Sequence, residues 1–527
     1  MNFNKKLAVA VSGAVLLMAG QVAFADSATD IVDALVMKGV LTEEEGRLIT
    51  KGHTSKTAVT PVVKEKDGAF TLESANGNNS ISLTGRMHLD YRQNNLDVYS
   101  TDFNDRDSAT AADNIELRRA RLGVKGKFAK DFNYEIVGNL PGTATVDVAF
   151  VDYAKYPAAK LRLGRFKQPF NLEELTSSNN IDFMERSYVN QLAPAKKNGA
   201  MLFGEPTTGL TYALSAYSMN DTEQDSKNDK MNFAGRTTLN FGELSGNKTM
   251  VAHIGLAGFA NEYNVTPQTS SGSGGSITNA SILAFRTPGR GLSNIFAGQI
   301  SGAGSGAAGQ SFNSNSTSQV KSSVVGLEGA FAVNNFKVQG EYAHGKFEGT
   351  GGSPTQGVQG EKLDMNVNVF YGELMYLATG EKYADAYKGG AFGSIKPINN
   401  FDLDNNKWGA WEFGLRAEKF VVDDMKWDAN GQSTSITRIR GTTSCTQGTG
   451  GSSDNGAGFR TGADINGCRS SATTYTAGIK WILNPNAMVK LNYSRTNFGY
   501  EWEHFDLDDA KKMNREDLMM VRTQFAF

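Results

Sequence analysis

Residues 81–91 read Ile-Ser-Leu-Thr-Gly-Arg-Met-His-Leu-Asp-Tyr, an alternation of apolar and polar side chains without a break. The odd-numbered positions are apolar or glycine, whereas the even-numbered ones include Arg86, His88 and Asp90. Successive side chains of a β-strand point to opposite faces, so one face of this stretch is apolar and the other polar. The stretch therefore predicts a strand that separates an apolar environment from water.

The same alternation recurs in sixteen segments of about ten residues between residues 79 and 527, as transmembrane strands require. Tight links such as 129–131 alternate with long polar ones such as 261–319. Short turns at one end and long loops at the other are typical of outer-membrane barrels. We therefore predict an all-β fold, a 16-stranded antiparallel transmembrane β-barrel. The link 379–405 fits poorly, because it is long but falls on the short-turn side.

The composition excludes several other classes of protein. After residue 25 the chain has no apolar stretch of about 18 residues, so it is not a helical transporter. Two cysteines in 527 residues exclude a disulfide-dense scaffold. The 53 basic and 55 acidic residues nearly balance, which gives no support for a nucleic-acid partner, and we predict none. Five scattered histidines without metal spacing argue against an enzyme, and we predict no catalytic residue, metal or cofactor.

The first 25 residues predict export. Lys5 and Lys6 precede the apolar run Leu7–Gly20, and Ala23-Phe24-Ala25 offers a cleavage site before Asp26. We predict a signal peptide over residues 1–25, with an uncleaved anchor as the alternative, and the outer membrane of a Gram-negative bacterium as the destination.

A short helical segment is expected at 26–50, where Thr42 and Glu45 fit a capping box, and a linker at 51–78. The helical segment is either a periplasmic element that self-associates or a loose terminal extension. The barrel occupies 79–527 and ends on Phe527, which shares an apolar face with Phe525. A terminal aromatic residue on such a strand resembles the signal that the barrel assembly machinery recognises.

Basic residues are concentrated between 112 and 170, where the sequence contains eleven basic and six acidic residues. Strand parity turns Arg119 and Arg121 into the lumen, because an arginine facing lipid at mid-depth costs about 2–4 kcal/mol. Arg118 has the lipid parity, so it must lie near the outer end under the loops, or the strand must be bulged. A row of fixed cations favours anions, whereas a porin with rows of both signs would be only weakly selective.

The segment 167–197 lacks strand periodicity, and a long irregular segment in a compact fold is usually functional. We expect it to fold inward and narrow the pore. Cys445 and Cys468 lie in one long outer loop. After export we expect them to form a disulfide, with two free thiols as the alternative.

Several motifs resemble the phosphate- and polyphosphate-selective porins in their order along residues 80–527. They are Leu117–Ala120, Leu161–Phe166, Gly326–Ala330 and Gly409–Glu412. The resemblance implies homotrimers of sixteen-stranded barrels in outer-membrane lipid. It also implies an arginine ladder that leads small inorganic anions to a central site, and an inward loop that sets the constriction. A general, weakly selective porin whose N-terminal segment tethers the barrel to the cell wall is the alternative.

By matching position, the resemblance implies a central anion site of Arg118, Arg119 and Arg186, with Arg86 nearby and Asp147 as the acidic residue that tempers binding. Arg286 and Arg290 resemble the ladder arginines of a long outer loop. We also place Arg121, by its strand parity, and Arg165 on the anion path. The constriction loop contributes Glu173, Glu174 and Asn179. Glu174 and Asn179 stand where the family has basic residues, which favours anion conduction over strict phosphate specificity.

Overall fold

The computed structural model describes residues 32, 34–57, 60–66, 69–94, 114–219, 230–265, 279–292, 295–301, 318–350, 362–428, 437–440, 459–461, 465–504 and 511–527. The chain divides into two compact units. One contains the residues up to Thr84 together with Val124–Tyr134, and the other contains Gly85–Gly123 together with Glu135–Phe527. The predicted signal peptide lies outside the described residues.

Sixteen antiparallel strands form the barrel. They are β3 (Ser80–Asn94), β4 (Asn114–Phe128), β5 (Phe132–Asn139), β6 (Thr145–Tyr156), β7 (Ala159–Lys167), β8 (Lys196–Thr207), β9 (Leu210–Tyr217), β10 (Asn232–Asn240), β11 (Met250–Val265), β14 (Ser318–Val333), β15 (Phe336–Thr350), β16 (Lys362–Leu377), β19 (Ala410–Asp428), β22 (Ser470–Asn484), β23 (Ala487–His504) and β24 (Lys511–Ala526). Strand β24 pairs with β3 from Leu518↔Asn94 to Ala526↔Arg86. This ladder closes the sheet, so the predicted sixteen-stranded barrel is confirmed.

The remaining elements lie before the barrel strands or in the links between them. The strands are β1 (Val62–Lys66), β2 (Ala69–Glu73), β12 (Asn279–Phe285), β13 (Phe296–Ser301), β17 (Tyr387–Lys388), β18 (Ala391–Phe392), β20 (Thr437–Arg440) and β21 (Phe459–Thr461), and the helices are α1 (Glu43–Thr57), α2 (Leu172–Leu175), α3 (Tyr188–Gln191), α4 (Phe241–Leu244) and α5 (Tyr383–Ala386). Strands β12, β13, β20 and β21 form a separate small sheet from two of the long loops. Within the described ranges, every helix is too short or too polar to cross a membrane.

The two faces of the barrel wall follow the predicted alternation. On β3, the side chains of Met87 and Leu89 are 45% and 44% exposed, whereas Asp90 is fully buried. On β24, Phe525 is exposed and Arg522 is buried. The apolar side chains therefore face outward, where lipid lies in a barrel of this kind, and the charged ones face the interior.

The first unit shows that the expected linker is structured. The capping box is present, because Thr42 Oγ1 accepts from the Glu45 N–H at 3.2 Å and the Glu45 carboxylate accepts from the Thr42 N–H at 2.9 Å. The segment 51–78 contains the end of α1 and the β1–β2 hairpin, and β2 continues the sheet by pairing with β3. Thr71 and Ser82 hydrogen-bond across this ladder at 2.6 Å. The prediction of a linker was wrong because five-residue strands are too short to show a period.

Candidate functional site

Residues 168–195, the inner loop, fold into the barrel as predicted. Inward-facing side chains of the wall hold the loop's backbone: Glu341 on β15 accepts from the Glu173 N–H at 2.8 Å, and Glu418 on β19 accepts from the Tyr188 N–H at 2.8 Å. Further contacts come from β23 and β24. The inner loop therefore occupies one side of the interior.

A second segment enters from the end where the short turns lie. Residues 378–409, the inner turn, connect β16 to β19 and carry α5, β17 and β18. The Tyr383 hydroxyl donates to Glu412 at 2.6 Å, and Arg236 Nη2 donates to the Gly390 carbonyl at 2.7 Å. This contact with the wall explains why the link is long. Its length was visible in the sequence, but its location inside the barrel was not.

The interior that remains open includes a cavity of about 920 Å³ whose wall is strongly basic. Eleven cationic side chains and four carboxylates line it. The cations are Arg86, Arg119, Arg121, Lys160, Arg162, Arg165, Lys167, Arg186, Lys196, Lys197 and Arg236, and the carboxylates are Glu135, Asp147, Glu174 and Glu205. A cleft lined by one sign of charge in a low-dielectric wall concentrates ions of the other sign. The wall of the cavity therefore carries an excess of positive charge.

Arg119 is a cavity residue with two unsatisfied hydrogen-bond donors among the described residues. Its side chain is buried at 7% exposure, and its Nε and Nη1 atoms have no hydrogen-bond partner among the described residues. Buried donors are normally paired, because an unmade hydrogen bond costs about 1–3 kcal/mol. The planar guanidinium group matches two oxygens of a carboxylate or phosphate. Arg119 is therefore the strongest candidate for an anion-binding residue.

The neighbouring Arg118 also points inward, although simple alternation would direct it to lipid. Ile115 and Leu117 are exposed on the outer face at 73% and 45%, but further along β4 it is Leu122 that is exposed, at 38%. The outward face thus changes from odd to even positions between 117 and 122. The alternation on β4 therefore shifts by one residue in this region, and Arg118 points inward near the outer end of the strand.

Arg118 does not line the cavity, however. Its Nε donates to Glu185 of the inner loop at 2.9 Å, and Arg522 Nη2 donates to the same carboxylate at 2.8 Å. Burial would raise the pKa of Glu185, but Arg118, Arg522 and Arg119 hold it well below its ordinary value. The structure therefore uses Arg118 to fix the inner loop, in contrast to its predicted place at a central anion site.

Asp147 is shared by two cavity cations. It lies 2.8 Å from Arg121 Nη1 and also accepts a hydrogen bond from Lys196. One carboxylate thus offsets part of two positive charges, which reduces the affinity that either cation has for a mobile anion.

Glu174 lies buried in the cavity wall between two cations. Its carboxylate oxygens are 4.0 Å from Lys167 Nζ and 3.7 Å from Arg186 Nη1. Burial alone would raise its pKa, but Lys167, Arg186 and Lys196 lower it below the ordinary value. Glu174 is therefore a fixed negative charge that partly neutralises its neighbours.

Comparison with known proteins adds to this geometry. Residues 81–527 match the family model for phosphate-selective porin O and P. The chain belongs to this family. Porin O of Pseudomonas aeruginosa is 26% identical over 375 residues, which is 69% of this chain and 77% of that protein. Among solved structures with a similar fold is an anion-selective porin from Comamonas acidovorans, which is 12% identical with a TM-score of 0.44 over 85% of this chain and 100% of that chain. Another is outer-membrane expressed OmpT of Vibrio cholerae, which is 9% identical with a TM-score of 0.42 over 88% of this chain and 100% of that chain.

The chain is thus an outer-membrane porin, with its short turns at the periplasmic end and its long loops at the outer end. Two further predicted path residues, Arg86 and Arg165, line the cavity. Arg86 Nη1 donates to the Ser178 hydroxyl of the inner loop at 2.9 Å. The position of Arg86 follows from strand alternation, whereas Arg165 shares the parity of the exposed Leu161 and Leu163 on β7.

Arg286 and Arg290 of this porin lie on the outer loop that follows β12 and do not line the cavity. The Arg286 backbone N–H donates to the Gln191 side chain of the inner loop at 3.0 Å. Burial and the nearby Arg118 lower the pKa of Arg290 to about 10, so this arginine lies within electrostatic range of the Arg118 cluster. Arg286 and Arg290 therefore lie close to the charges of Arg118 and Glu185.

Among the three predicted constriction residues, only Glu174 lines the cavity. Glu173 turns to the wall, where Arg416 Nη1 lies 3.2 Å away. Asn179 Oδ1 lies 3.1 Å from His88 Nε2. Burial raises the pKa of Glu173, although Arg416 and Ser187 oppose that effect. Glu173 and Asn179 therefore anchor the loop.

The predicted cysteine pair lies in part outside the described residues. Cys468 is buried and is not a free thiol, whereas Cys445 is not among those residues. The pairing of the two cysteines stays a prediction.

The list of site residues derived from the sequence omitted several cavity cations. Arg162 is one: its guanidinium group lies 3.7 Å from the centre of the Phe150 ring and 2.7 Å from Asp152. Lys196 and Lys197 begin β8 directly after the inner loop. The high local count of basic residues signalled such a wall, but only the ladder geometry shows which of them share it.

Proposed function

We propose that this porin conducts small anions by passive diffusion, with phosphate or related oxyanions among them. Arg119 carries the proposal, because it is buried in the cavity wall with two donors that have no partner in the described part of the chain. The excess of cationic over acidic side chains in the cavity wall also supports the conduction of anions. The inner loop and the inner turn together form the constriction.

In this proposal an anion enters past Arg286 and Arg290 and is held at Arg119. Arg86 and Arg121 add positive potential there, and further cations line the cavity around the site. Conduction requires sites strong enough to admit an ion and weak enough to release it. Asp147 and Glu174 help the anion to leave, because each carboxylate partly neutralises two cations of the cavity wall.

A weakly selective porin is the second candidate, and a specific observation favours it. Glu174 is a negative charge inside the cavity, at a position where a cation would strengthen phosphate binding. We therefore propose moderate phosphate affinity.

We also propose a homotrimer. Strands β5 to β10 have 8–12 residues, whereas the other barrel strands have 15–19. At about 3.3 Å per residue and a tilt of about 40°, eight residues span less than the apolar band of about 25 Å. A neighbouring protomer would cover strands β5 to β8 of this short side. We further propose export by the signal peptide, recognition of Phe527 by the assembly machinery, and a tethering role for the N-terminal unit.

Single-channel recording in planar bilayers tests the proposed conduction. Under a potassium chloride gradient, the reversal potential should show anion preference, and added phosphate should reduce the chloride current. A cation-selective reversal potential without phosphate block would contradict the proposal. Anion preference of less than about twofold without block would support the weakly selective alternative.

A further inference from the structure

The outward surface of the barrel carries a groove that the pore does not use. Two cavities of about 350 and 670 Å³ adjoin there and share Phe233, Ala260, Ser323 and Lys346 in their walls. The groove runs along β10, β11, β14 and β15. One of its ends lies at the outer, long-loop ends of these strands.

Lysines form the outer rim of the groove. Lys230, Lys321 and Lys346 line it, and their side chains are 62%, 47% and 52% exposed. Glu262 pairs with the first two and Glu348 with the third, but each carboxylate is only 25% exposed. The ammonium groups are therefore the outermost charges. The three lysines are paired with only two carboxylates, which leaves one positive charge in excess.

Below the rim the groove is apolar. Gly235 and Gly258 face each other in the β10–β11 ladder, so the floor there has no side chains. Phe233, Leu214 and Val325 stand along it, each about 60% exposed. The shape is a trough with a bare floor and apolar walls, which suits a linear hydrocarbon chain.

The charge and polarity of the groove match one class of molecule. Lysines on the lipid-facing side of a barrel are tolerated only near the interface, where the cost of about 2–4 kcal/mol at the midplane falls to about 0–1 kcal/mol. Basic clusters at that level bind lipid phosphates. The outer leaflet of this membrane is built of phosphorylated glycolipids. We propose that the groove binds one such glycolipid, with a phosphate on the three lysines and an acyl chain along the glycine floor.

Titration of the detergent-solubilised porin with bisphosphorylated lipid A tests the proposal, with native mass spectrometry as the readout. The wild type should bind this lipid at least fivefold more tightly than the triple variant Lys230→Gln, Lys321→Gln, Lys346→Gln. Dephosphorylated lipid A should bind both proteins equally weakly. The variant Ala260→Trp should also weaken binding, because the indole fills the trough and leaves the rim lysines intact.

The matched control replaces exposed lysines of the periplasmic turns, Lys248→Gln, Lys382→Gln and Lys407→Gln, and should bind lipid A as the wild type does. Equal binding by the rim variant and the wild type would overturn the proposal, and so would equal loss in the control. Each variant is first checked for the folded barrel by its heat-modifiable mobility in gels. The reversal potential of the rim variant should be unchanged, so this test is independent of the pore function.

Discussion

Arg118 on β4 and Glu185 on the inner loop form a bidentate pair, with Nε to Oε1 at 2.9 Å and Nη2 to Oε2 at 3.3 Å. The pair joins residues 67 positions apart and requires the shift in alternation that turns Arg118 inward. It also separates the roles of two adjacent arginines. Arg118 holds the inner loop, whereas two donors of Arg119 have no partner among the described residues.

Replacing Arg119 tests this separation. Arg119→Ala should move the reversal potential toward zero and weaken phosphate block about tenfold, because a charge-assisted hydrogen bond contributes about 1.5–3 kcal/mol. Bilayer recording measures both. Arg495→Ala removes an exposed arginine from the outward face and should change neither quantity. An unchanged reversal potential in Arg119→Ala would contradict the assigned role.

Glu174→Gln should strengthen anion binding. The amide keeps the shape of the side chain but releases Lys167 and Arg186 from their partner. We expect phosphate to block chloride current at a severalfold lower concentration than in the wild type. Glu348→Gln, which removes a carboxylate from the outward face, is the control. Weaker block in Glu174→Gln would show that this carboxylate does not temper the site.

Glu185→Gln should destabilise the folded barrel. It leaves Arg118, Arg522 and Arg92 without their shared counter-charge in a buried site, and breaking such a network costs about 3–5 kcal/mol. Urea unfolding in lipid vesicles measures the free energy. The exposed-face variant Glu348→Gln should stay within about 1 kcal/mol of the wild type. A similar loss in both variants would argue against the network.

The same residue predicts a dependence on pH. The folded-state pKa of Glu185 lies well below its ordinary value, so its contribution to stability is present above pH 4.5 and is lost as the pH falls through the folded pKa. The difference in unfolding free energy between the wild type and Glu185→Gln should therefore shrink between pH 6 and pH 3. A difference in unfolding free energy that grows as the pH falls would contradict this prediction.

Shortening the inner turn should widen the pore. Leu377 and Glu412 are already paired across β16 and β19, so a turn of a few residues can replace 379–409 without moving the strands. Removal of α5, β17 and β18 takes their side chains out of the interior, and single-channel conductance should rise. Shortening the helical turn 241–249, which also lies at the periplasmic end, is the control. Unchanged conductance would mean that the inner turn does not restrict the path.

Much of the wall could be predicted from the sequence, because alternation repeats in every strand. The parity that places Arg119 and Arg121 inside needs only one strand at a time. The site could be predicted less well, since it depends on contacts between distant segments. Arg118 departs from the alternation and contacts the inner loop, and Glu173 and Asn179 contact the wall and do not line the cavity.

The sequence by itself determined the barrel, its sixteen strands and the cluster of basic residues on part of its wall, because a period of two assigns most side chains to lipid or to water without reference to any partner. The tertiary structure decided which charges are free. The inner loop brings Glu185 to Arg118 and Glu174 to Lys167 and Arg186, whereas Nε and Nη1 of Arg119 have no partner in the part of the chain that the structure describes. A charge acts on an ion only to the extent that no nearby opposite charge already neutralises it, and that distance is a property of the folded chain.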